Sequence, residues 1–277
     1  MKLKRQGERG VVLVNVLVVL ALMSTVVFAM ISLSDLSIAR SQRFSEAGQA
    51  AALVAAGETS AIIALRRDMV EAPQSDNLTE PWAQIAQEEI RIEAGRFALA
   101  IEDAQGRFNL NSLPGSGVLG AQLLQRILAA LGMPPDVGLR IGARMSRPER
   151  LERLGELVAD VGLTEAEVAL LSTLVIVLPE RTDINVNTAP EELLMALADN
   201  PVQAINLLAI RKRQGFLKPS DVTAASMILP TGTGYRTRYF LVTVEATVGD
   251  TTRRVHSLLQ RQTGAGGRPK VIVLARE

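Results

Sequence analysis

Residues 10–33 have the sequence GVVLVNVLVVLALMSTVVFAMISL, which contains no charged side chain. As a helix rising about 1.5 Å per residue, residues 11–33 span roughly the ~30 Å hydrocarbon core of a bilayer. The segment before this run is basic, with Lys2, Lys4, Arg5 and Arg9. Positive charge on the N-terminal flank favours a cytoplasmic N-terminus, so we expect the rest of the chain on the opposite side of the membrane.

The boundary between Gly10 and Val11 separates the basic leader from the apolar run. An ordinary secretory signal has a shorter apolar core followed by a small-residue cleavage site. Here the small residue precedes a longer apolar core, an order that resembles a type IV prepilin cleavage site. The resemblance implies a cut after Gly10 by a membrane peptidase and a mature chain that begins at Val11. The alternative is a plain signal anchor in which Gly10 has no special role.

The helical pattern continues beyond the membrane segment. Residues 34–69 contain no proline, and apolar or small side chains recur at helical spacing. One helix from about residue 11 to residue 69 would be on the order of 85 Å long. The alternative is two helices separated by a break near residues 32–34.

The composition fits a globular protein tethered to a membrane. The chain has 277 residues, enough for a sizeable core or two small domains, and its formal net charge is +1. The near-zero charge gives no indication of a strongly charged partner. The absence of cysteine excludes disulfides, thiol catalysis and cysteine-based metal sites.

The part after the long helix changes character twice. Alternating apolar residues on both sides of Gly95 predict a β-hairpin, and residues 239–248, 251–262 and 270–274 predict further strands. Between them, residues 118–228 are mostly helical in pattern. The expected helices lie at 119–131, 148–161, after a capping box at Thr164, at 191–198 after a second box at Thr188, at 201–214 and after residue 222.

This order of patterns predicts one domain inserted into another. The expected fold class is α+β, with the long N-terminal helix, an antiparallel sheet and a large all-α insertion. The expected divisions are a leader at 1–10, the transmembrane and head helix at 11–70, a first β part at 71–114, the helical insertion at 115–230 and a second β part at 231–277.

Residues 184–194, with 210–217 and 221–222, resemble a helix-hairpin-helix or SAM-like module. Such modules often bind the DNA backbone through a glycine-rich hairpin whose N–H groups meet phosphate oxygens. The hairpin at residues 197–202 has no glycine. It carries Asp199 where an anion would approach and Pro201, which lacks an N–H group. We therefore expect no nucleic-acid partner, although a membrane-anchored DNA receptor of the competence type is the main alternative function.

No catalytic set can be assembled from the sequence. His256 is the only histidine, so a histidine-based triad or a multi-histidine zinc site is excluded. Glu102 and Asp103 are adjacent and would point to opposite faces of a strand. We therefore expect no enzymatic activity and no cofactor.

Taken together, the chain resembles the general secretion pathway protein K family, the large minor pseudopilins of the bacterial type II secretion system. The matching segments are the Gly10–Val11 junction, Gly106-Arg107-Phe108-Asn109-Leu110-Asn111, Leu154-Gly155-Glu156-Leu157, Val177-Leu178-Pro179, residues 184–190 and Tyr239-Phe240-Leu241-Val242. The resemblance implies a type IV pilin-like head with a helical domain inserted in its sheet.

The same resemblance implies a function and a location. Such a protein would be a non-enzymatic subunit at the tip of the periplasmic pseudopilus that helps to start its assembly. Its partners would be other minor pseudopilins, the major pseudopilin, the prepilin peptidase and the inner membrane. The protein would cross that membrane once, with the C-terminal part in the periplasm. Whether the mature N-terminus is methylated stays open.

Two departures from the family pattern are informative. Most pilins carry a glutamate at the fifth mature position, paired with a neighbour's N-terminal amine; here that position is the neutral Asn15. A subunit with no neighbour above it gains nothing from the glutamate, so Asn15 marks a tip position, unless it is simply a tolerated polar residue. The acidic stretch that the family associates with calcium is replaced by a basic segment at residues 140–148, so we expect no calcium there and leave other places open.

Overall fold

The computed structural model describes residues 8–85, 87–92, 95–225 and 227–277, with the backbone alone for residues 8–10 and 87–89. The first element is one continuous helix, α1 (Glu8–Glu71), with no break near residues 32–34. The single long helix is therefore confirmed. The predicted leader falls mostly outside the described residues, since residues 1–7 are not among them.

The head contains an antiparallel sheet of five strands in the described part of the chain. The strands are β1 (Gln87–Ile92), β2 (Gly95–Asp103), β7 (Tyr239–Val248), β8 (Thr251–Thr263) and β9 (Pro269–Arg276), in the order β1-β2-β7-β8-β9. Residues far apart in the chain pair directly, for example Asp103 with Phe240. The two central neighbours β2 and β7 are thus separated in sequence by the whole insertion.

One face of the sheet packs on the second half of α1. The helix contributes Val54, Ala61 and Leu65, and the sheet contributes Val242 and Val244 to one apolar cluster. A short helix α2 (Pro81–Gln84) closes the end of this cluster with the buried Trp82, whose ring meets Phe240 edge-on at 5.1 Å. Apolar burial of this kind stabilises the folded state by about 25 cal/mol per Å².

The insertion lies between β2 and β7 and has its own apolar core. Its helices are α3 (Gly117–Ala130), α4 (Pro135–Met145), α5 (Glu156–Val161), α6 (Glu165–Leu171), α7 (Glu191–Leu197), α8 (Pro201–Gln214) and α9 (Pro219–Ala224). Two short parallel pairs join its segments: β3 (Phe108–Asn109) with β4 (Val175–Ile176), and β5 (Ile184–Asn185) with β6 (Thr233–Gly234). The α+β class with a helical insertion is confirmed; the limits 115 and 230 stay predictions.

Three details of the insertion differ from expectation. The helix predicted after residue 222 begins earlier, because Pro219 is its first residue and it ends at Ala224. The predicted helix at 148–161 is wrong in its first half, since α5 begins only at Glu156. The preceding helix, α4, ends at Met145. The carboxylate of Glu156 instead accepts hydrogen bonds from the backbone N–H groups of Glu152 and Arg153 at 3.0 and 2.7 Å. These bonds hold the preceding segment in an irregular conformation.

The predicted capping box at Thr188 is also wrong. The N-cap of α7 is Pro190, with no side-chain capping bond, whereas the box at Thr164 and Glu167 is present as expected. The Thr188 hydroxyl donates instead to Asp103 Oδ2 at 2.6 Å. Thr188 therefore bonds to Asp103, which is distant in sequence, instead of capping α7.

Candidate functional site

The predicted processing junction lies within the first turns of α1. The backbone is already helical at Glu8, so Gly10 and Val11 continue into the apolar helix without interruption. Every side chain from residue 11 to residue 33 is exposed in the isolated chain. A helix long and apolar enough to cross a membrane begins at Val11, with a mean hydropathy of 2.8 in its most apolar window. By length and composition, the exposed apolar surface of residues 11–33 can contact lipid or neighbouring helices.

Asn15 lies on the surface of this helix, among Val12, Val16 and Val19. Within the described residues, no hydrogen bond of its side chain is present. A carboxamide in lipid is less costly than a carboxylate, which needs a partner or a proton. The structure places Asn15 in the segment that would meet lipid or other subunits, and it brings no other predicted site residue to it.

Glycine allows the helix and the sheet of the head to approach closely. A Cβ atom at Gly57 would lie 2.7 Å from Val244 Cγ1 and 2.8 Å from Phe97 Cζ. The next residue, Glu58, accepts hydrogen bonds from Ser257 Oγ at 2.6 Å and Arg276 Nη2 at 2.6 Å. The hydrogen bond from Arg276 lowers the pKa of Glu58 and outweighs the opposing effect of burial. The contact fixes the rotation of α1 against the sheet.

Buried polar groups join the head to the insertion. The Asp103 carboxylate, at the end of β2, accepts hydrogen bonds from Asn185 Nδ2 at 2.7 Å and from the Thr188 hydroxyl. Asn185 Nδ2 also donates to the carbonyl of Asp76 at 2.8 Å, in the loop that follows α1. Burial raises the pKa of Asp103, while these hydrogen bonds oppose the rise. The three segments therefore meet at one buried polar joint.

Four buried asparagines organise the insertion. They stand in two similar segments, Asn109-Leu110-Asn111 and Asn185-Val186-Asn187. Asn111 donates to the carbonyls of Leu151 and Leu178, each at 2.9 Å, and accepts from the N–H of Leu151. Such side chains satisfy backbone groups that no helix or strand can pair. The sequence did not predict a structural role for these asparagines, although the repeated Asn-x-Asn pattern could have indicated one.

A family model described as type II secretion system protein K matches residues 184–233 of the chain. The Type II secretion system protein K of Pseudomonas aeruginosa is 31% identical over 315 residues, covering 99% of this chain and 93% of the relative. The protein K of Klebsiella pneumoniae is 26% identical over 308 residues, covering 92% and 93%. The chain belongs to the type II secretion system protein K family.

A solved structure supports the fold of this protein K family member independently. The GspK-GspI-GspJ complex from the type 2 secretion system of enterotoxigenic Escherichia coli contains a chain that matches with a TM-score of 0.66 and 21% identity. The match covers 86% of this chain and 98% of that chain. The fold is thus that of a minor pseudopilin, with an apolar N-terminal helix as anchor and a C-terminal globular part.

For a protein K, the helix-hairpin-helix segment has a structural explanation. Arg211 lies half-buried and donates to the carbonyls of Val186 and Ala189 at 2.9 and 2.6 Å. Lys212 pairs with Glu191 at 2.7 Å. Arg211 is therefore engaged inside the chain, whereas Lys212 is exposed and forms its ion pair at the surface. Asn200 caps α8 by accepting from the Val202 N–H at 2.9 Å. The hairpin side chain therefore satisfies a backbone group of the helix that follows it.

The basic segment at residues 140–148 also has an internal role. Arg144 is buried, and it donates to Asp160 at 2.5 Å and to the carbonyl of Glu149 at 2.8 Å. A guanidinium group repels a divalent cation, so the absence of calcium at this segment stays the prediction. His256 lies exposed on the outer face of the sheet and contacts the Thr243 hydroxyl at 2.9 Å.

Among the described residues, one group of acidic side chains is close enough to share a cation. Ligand oxygens of Asp68, Asp76 and Glu80 lie within 4.8 Å of one another, and all three residues are buried. The Arg261 guanidinium already donates to Asp68 at 2.5 Å and to Asp76. Two of the three carboxylates are therefore already paired with a cationic side chain of the protein itself.

Proposed function

We propose that this chain is the non-enzymatic tip subunit of the type II pseudopilus, acting with other minor pseudopilins and the major pseudopilin to start fibre assembly. The observation that carries the proposal is the bulky insertion at the end of the head farthest from the membrane anchor. The solved structure described above is a complex of GspK with GspI and GspJ of the same secretion system, which supports partners of that kind here.

The position of the insertion follows from the contacts at the end of α1. Residues Val11–Glu71 of the helix are about 90 Å long, so Glu71 lies far from the membrane. In the loop that follows, the Asp76 N–H donates to the Tyr235 carbonyl at 2.8 Å, and Tyr235 belongs to the returning segment of the insertion. The insertion therefore covers the distal end of the head, where a pilin in the shaft would need room for the next subunit.

The absence of a carboxylate at the fifth mature position supports the same location. A glutamate there would need a neighbour's amine to offset its charge. Asn15 makes no such demand. In this proposal the protein crosses the inner membrane once, with the leader in the cytoplasm and the head in the periplasm, and the prepilin peptidase removes residues 1–10.

The tip location can be tested by labelling the insertion. A small epitope tag placed after the exposed Gly132, where a Cβ atom would meet nothing within 4 Å, should leave secretion intact. Gold-labelled antibody on sheared pseudopili should then mark one end of each fibre. Labels distributed along the shaft would contradict the proposal.

The processing step is tested by the pair Gly10→Val and Gly7→Val. Gly10 has no side chain to obstruct the peptidase, so Gly10→Val should block cleavage, whereas Gly7→Val in the same leader should leave it intact. Mass spectrometry of the membrane form should give Val11 as the first residue of wild type and of Gly7→Val. An intact Met1 in wild type would overturn the processing assignment, but membership of the protein K family would be unaffected.

The alternative function, a DNA receptor, predicts that the head binds DNA, whereas the proposed function predicts that it does not. With Arg211 bound to backbone carbonyls, Lys212 paired with Glu191 and a near-zero net charge, phosphate neutralisation would be weak. Micromolar DNA binding with a steep salt dependence would revive that alternative.

A further inference from the structure

The cluster of Asp68, Asp76, Glu80 and Arg261 contains three carboxylates and one guanidinium. Arg261 contacts Asp68 and Asp76, which leaves Glu80 without a cationic partner in the cluster. Glu80 instead accepts from Trp82 Nε1 at 2.6 Å and from Asn77 Nδ2 at 2.7 Å. With every carboxylate ionised, the buried group would carry a net charge of about −2. Buried charge without a partner is costly, and binding a proton is the usual way of avoiding that cost.

The cluster lies where the three parts of the molecule meet. Asp68 is in the last turns of α1, Arg261 is on β8, and Asp76 and Glu80 are in the connecting loop. Through Asp76 the loop also holds the insertion: Asp76 Oδ2 accepts from the Thr237 N–H at 2.6 Å, and the Asp76 carbonyl accepts from Asn185. A change in the charge of this cluster therefore acts on the junction between head and insertion.

Other charged groups face the cluster from each neighbouring element. Glu71 adds negative charge from the end of α1. Arg236, Arg238 and Glu180 line the open cleft beside Asp76, and Arg238 pairs with Glu180 at 3.4 Å. Burial, with further contributions from Asp68 and Asp76, raises the pKa of Glu80 to about 7, although the bond from Trp82 opposes the rise. Burial also raises the pKa of Asp68.

We propose that Glu80 is a proton-binding group of this joint, so that the insertion is fastened to the head more firmly in mildly acidic than in neutral surroundings. The proposal does not depend on the tip location.

The direction follows from proton linkage. A carboxyl group whose pKa is higher in the folded joint than in the opened one favours the closed joint at low pH. That advantage is complete below the ordinary pKa of about 4.5 and is lost as the pH rises to about 7. One proton corresponds to at most a tenfold rise in the opening equilibrium per pH unit within this window, and the rise should level off above it.

The chain has a built-in reporter, because Trp82 is its only tryptophan and donates to Glu80. Trp82 fluorescence of the full chain in detergent micelles should show a one-proton transition near pH 7. Glu80→Gln should abolish the transition. Glu71→Gln, at the exposed end of α1, and His256→Asn, which removes the only histidine, should retain it. No transition in wild type between pH 5 and 8.5, or one that persists in Glu80→Gln, would overturn the proposal.

A second variant keeps the test decisive if Glu80→Gln does not fold. Asp68→Asn removes a negative charge that raises the pKa of Glu80, so the Trp82 transition should move to lower pH. An unmoved or higher midpoint would contradict the cluster as its cause.

Hydrogen exchange then tests the consequence for the joint. At each pH, wild type and Glu80→Gln are compared, which cancels the intrinsic effect of pH on exchange. Peptides covering residues 72–80 and 227–238 should be equally protected in both at pH 5. At pH 8 they should exchange at least several-fold faster in wild type. Equal protection at pH 8 would mean that the proton, even if bound, does not fasten the insertion.

Discussion

The long helix with its sheet and the inserted domain are held in place by different means. The helix packs on the sheet mainly through small and apolar residues, with Gly57 at the closest approach to Val244 and a few polar contacts such as Glu58 with Ser257. The insertion has an apolar core as well, but it also uses buried asparagines that bind backbone groups distant in sequence, such as Asn111 with Leu151. Apolar contacts repeat along the helix, and each needs only an apolar neighbour. The asparagine contacts depend on individual hydrogen bonds, so single substitutions should be most damaging in the insertion.

The strongest test of this difference is Asn111→Ala. The change removes three hydrogen bonds and leaves the carbonyls of Leu151 and Leu178 and one N–H group buried without partners. We expect a loss of about 3–5 kcal/mol in the free energy of unfolding. Thermal unfolding of the full chain in detergent, followed by circular dichroism, measures the effect.

Asn187→Ala is the matched control within the same pair of motifs. Asn187 accepts one bond from the Leu217 N–H at 2.7 Å, and its Nδ2 has no partner in the described residues. Removing that unpaired group recovers part of the cost, so the loss should be clearly smaller than for Asn111→Ala. Equal losses would mean that side-chain volume, not hydrogen bonding, decides stability in the insertion.

The same difference explains what the sequence could predict. Helical periodicity and strand alternation depend on local spacing, so the long helix, α8 and β7 were predicted at or close to their observed bounds. The bonds of Thr188 to Asp103 and of Glu156 to the preceding backbone depend on tertiary neighbours. Local rules therefore gave Thr188 a capping role that it does not have, and they started a helix at residue 148, before its observed beginning at Glu156.

Gly57→Leu tests the helix side of the comparison. Extra side-chain atoms would meet Val244 and Phe97, and overpacking of this kind typically costs about 1–3 kcal/mol. Gly48→Leu in the same helix meets nothing within 4 Å of its Cβ and should stabilise by up to about 1 kcal/mol through helix propensity. Both are measured by thermal unfolding. Destabilisation by Gly48→Leu would show that the two positions do not differ as the packing indicates.

The candidate site was only partly accessible from sequence. The junction at Gly10 and Val11 and the polar residue Asn15 are local features of one apolar run, and the resemblance to prepilins gives them their expected roles, which stay predictions. The Glu80 cluster combines the end of α1, a loop and β8, and Arg261 is distant from Asp68 in the chain. No spacing rule links such residues, and only the packed structure brings them together.

The smallest effects are expected at Asn15, on the unpacked half of α1. If the subunit caps the fibre, no neighbour's amine waits for a carboxylate at this position. Asn15→Leu should then preserve secretion, because the helix loses only a polar group in lipid. Asn15→Glu should be neutral or harmful, since an unpaired carboxylate in the bilayer costs a few kcal/mol or must take up a proton. Secretion and pseudopilus formation in a strain lacking the native protein measure both variants. A subunit within the shaft would show the reverse order, because there the glutamate would find its partner; a clear gain from Asn15→Glu would therefore exclude the tip location and leave the packing of the head unaffected.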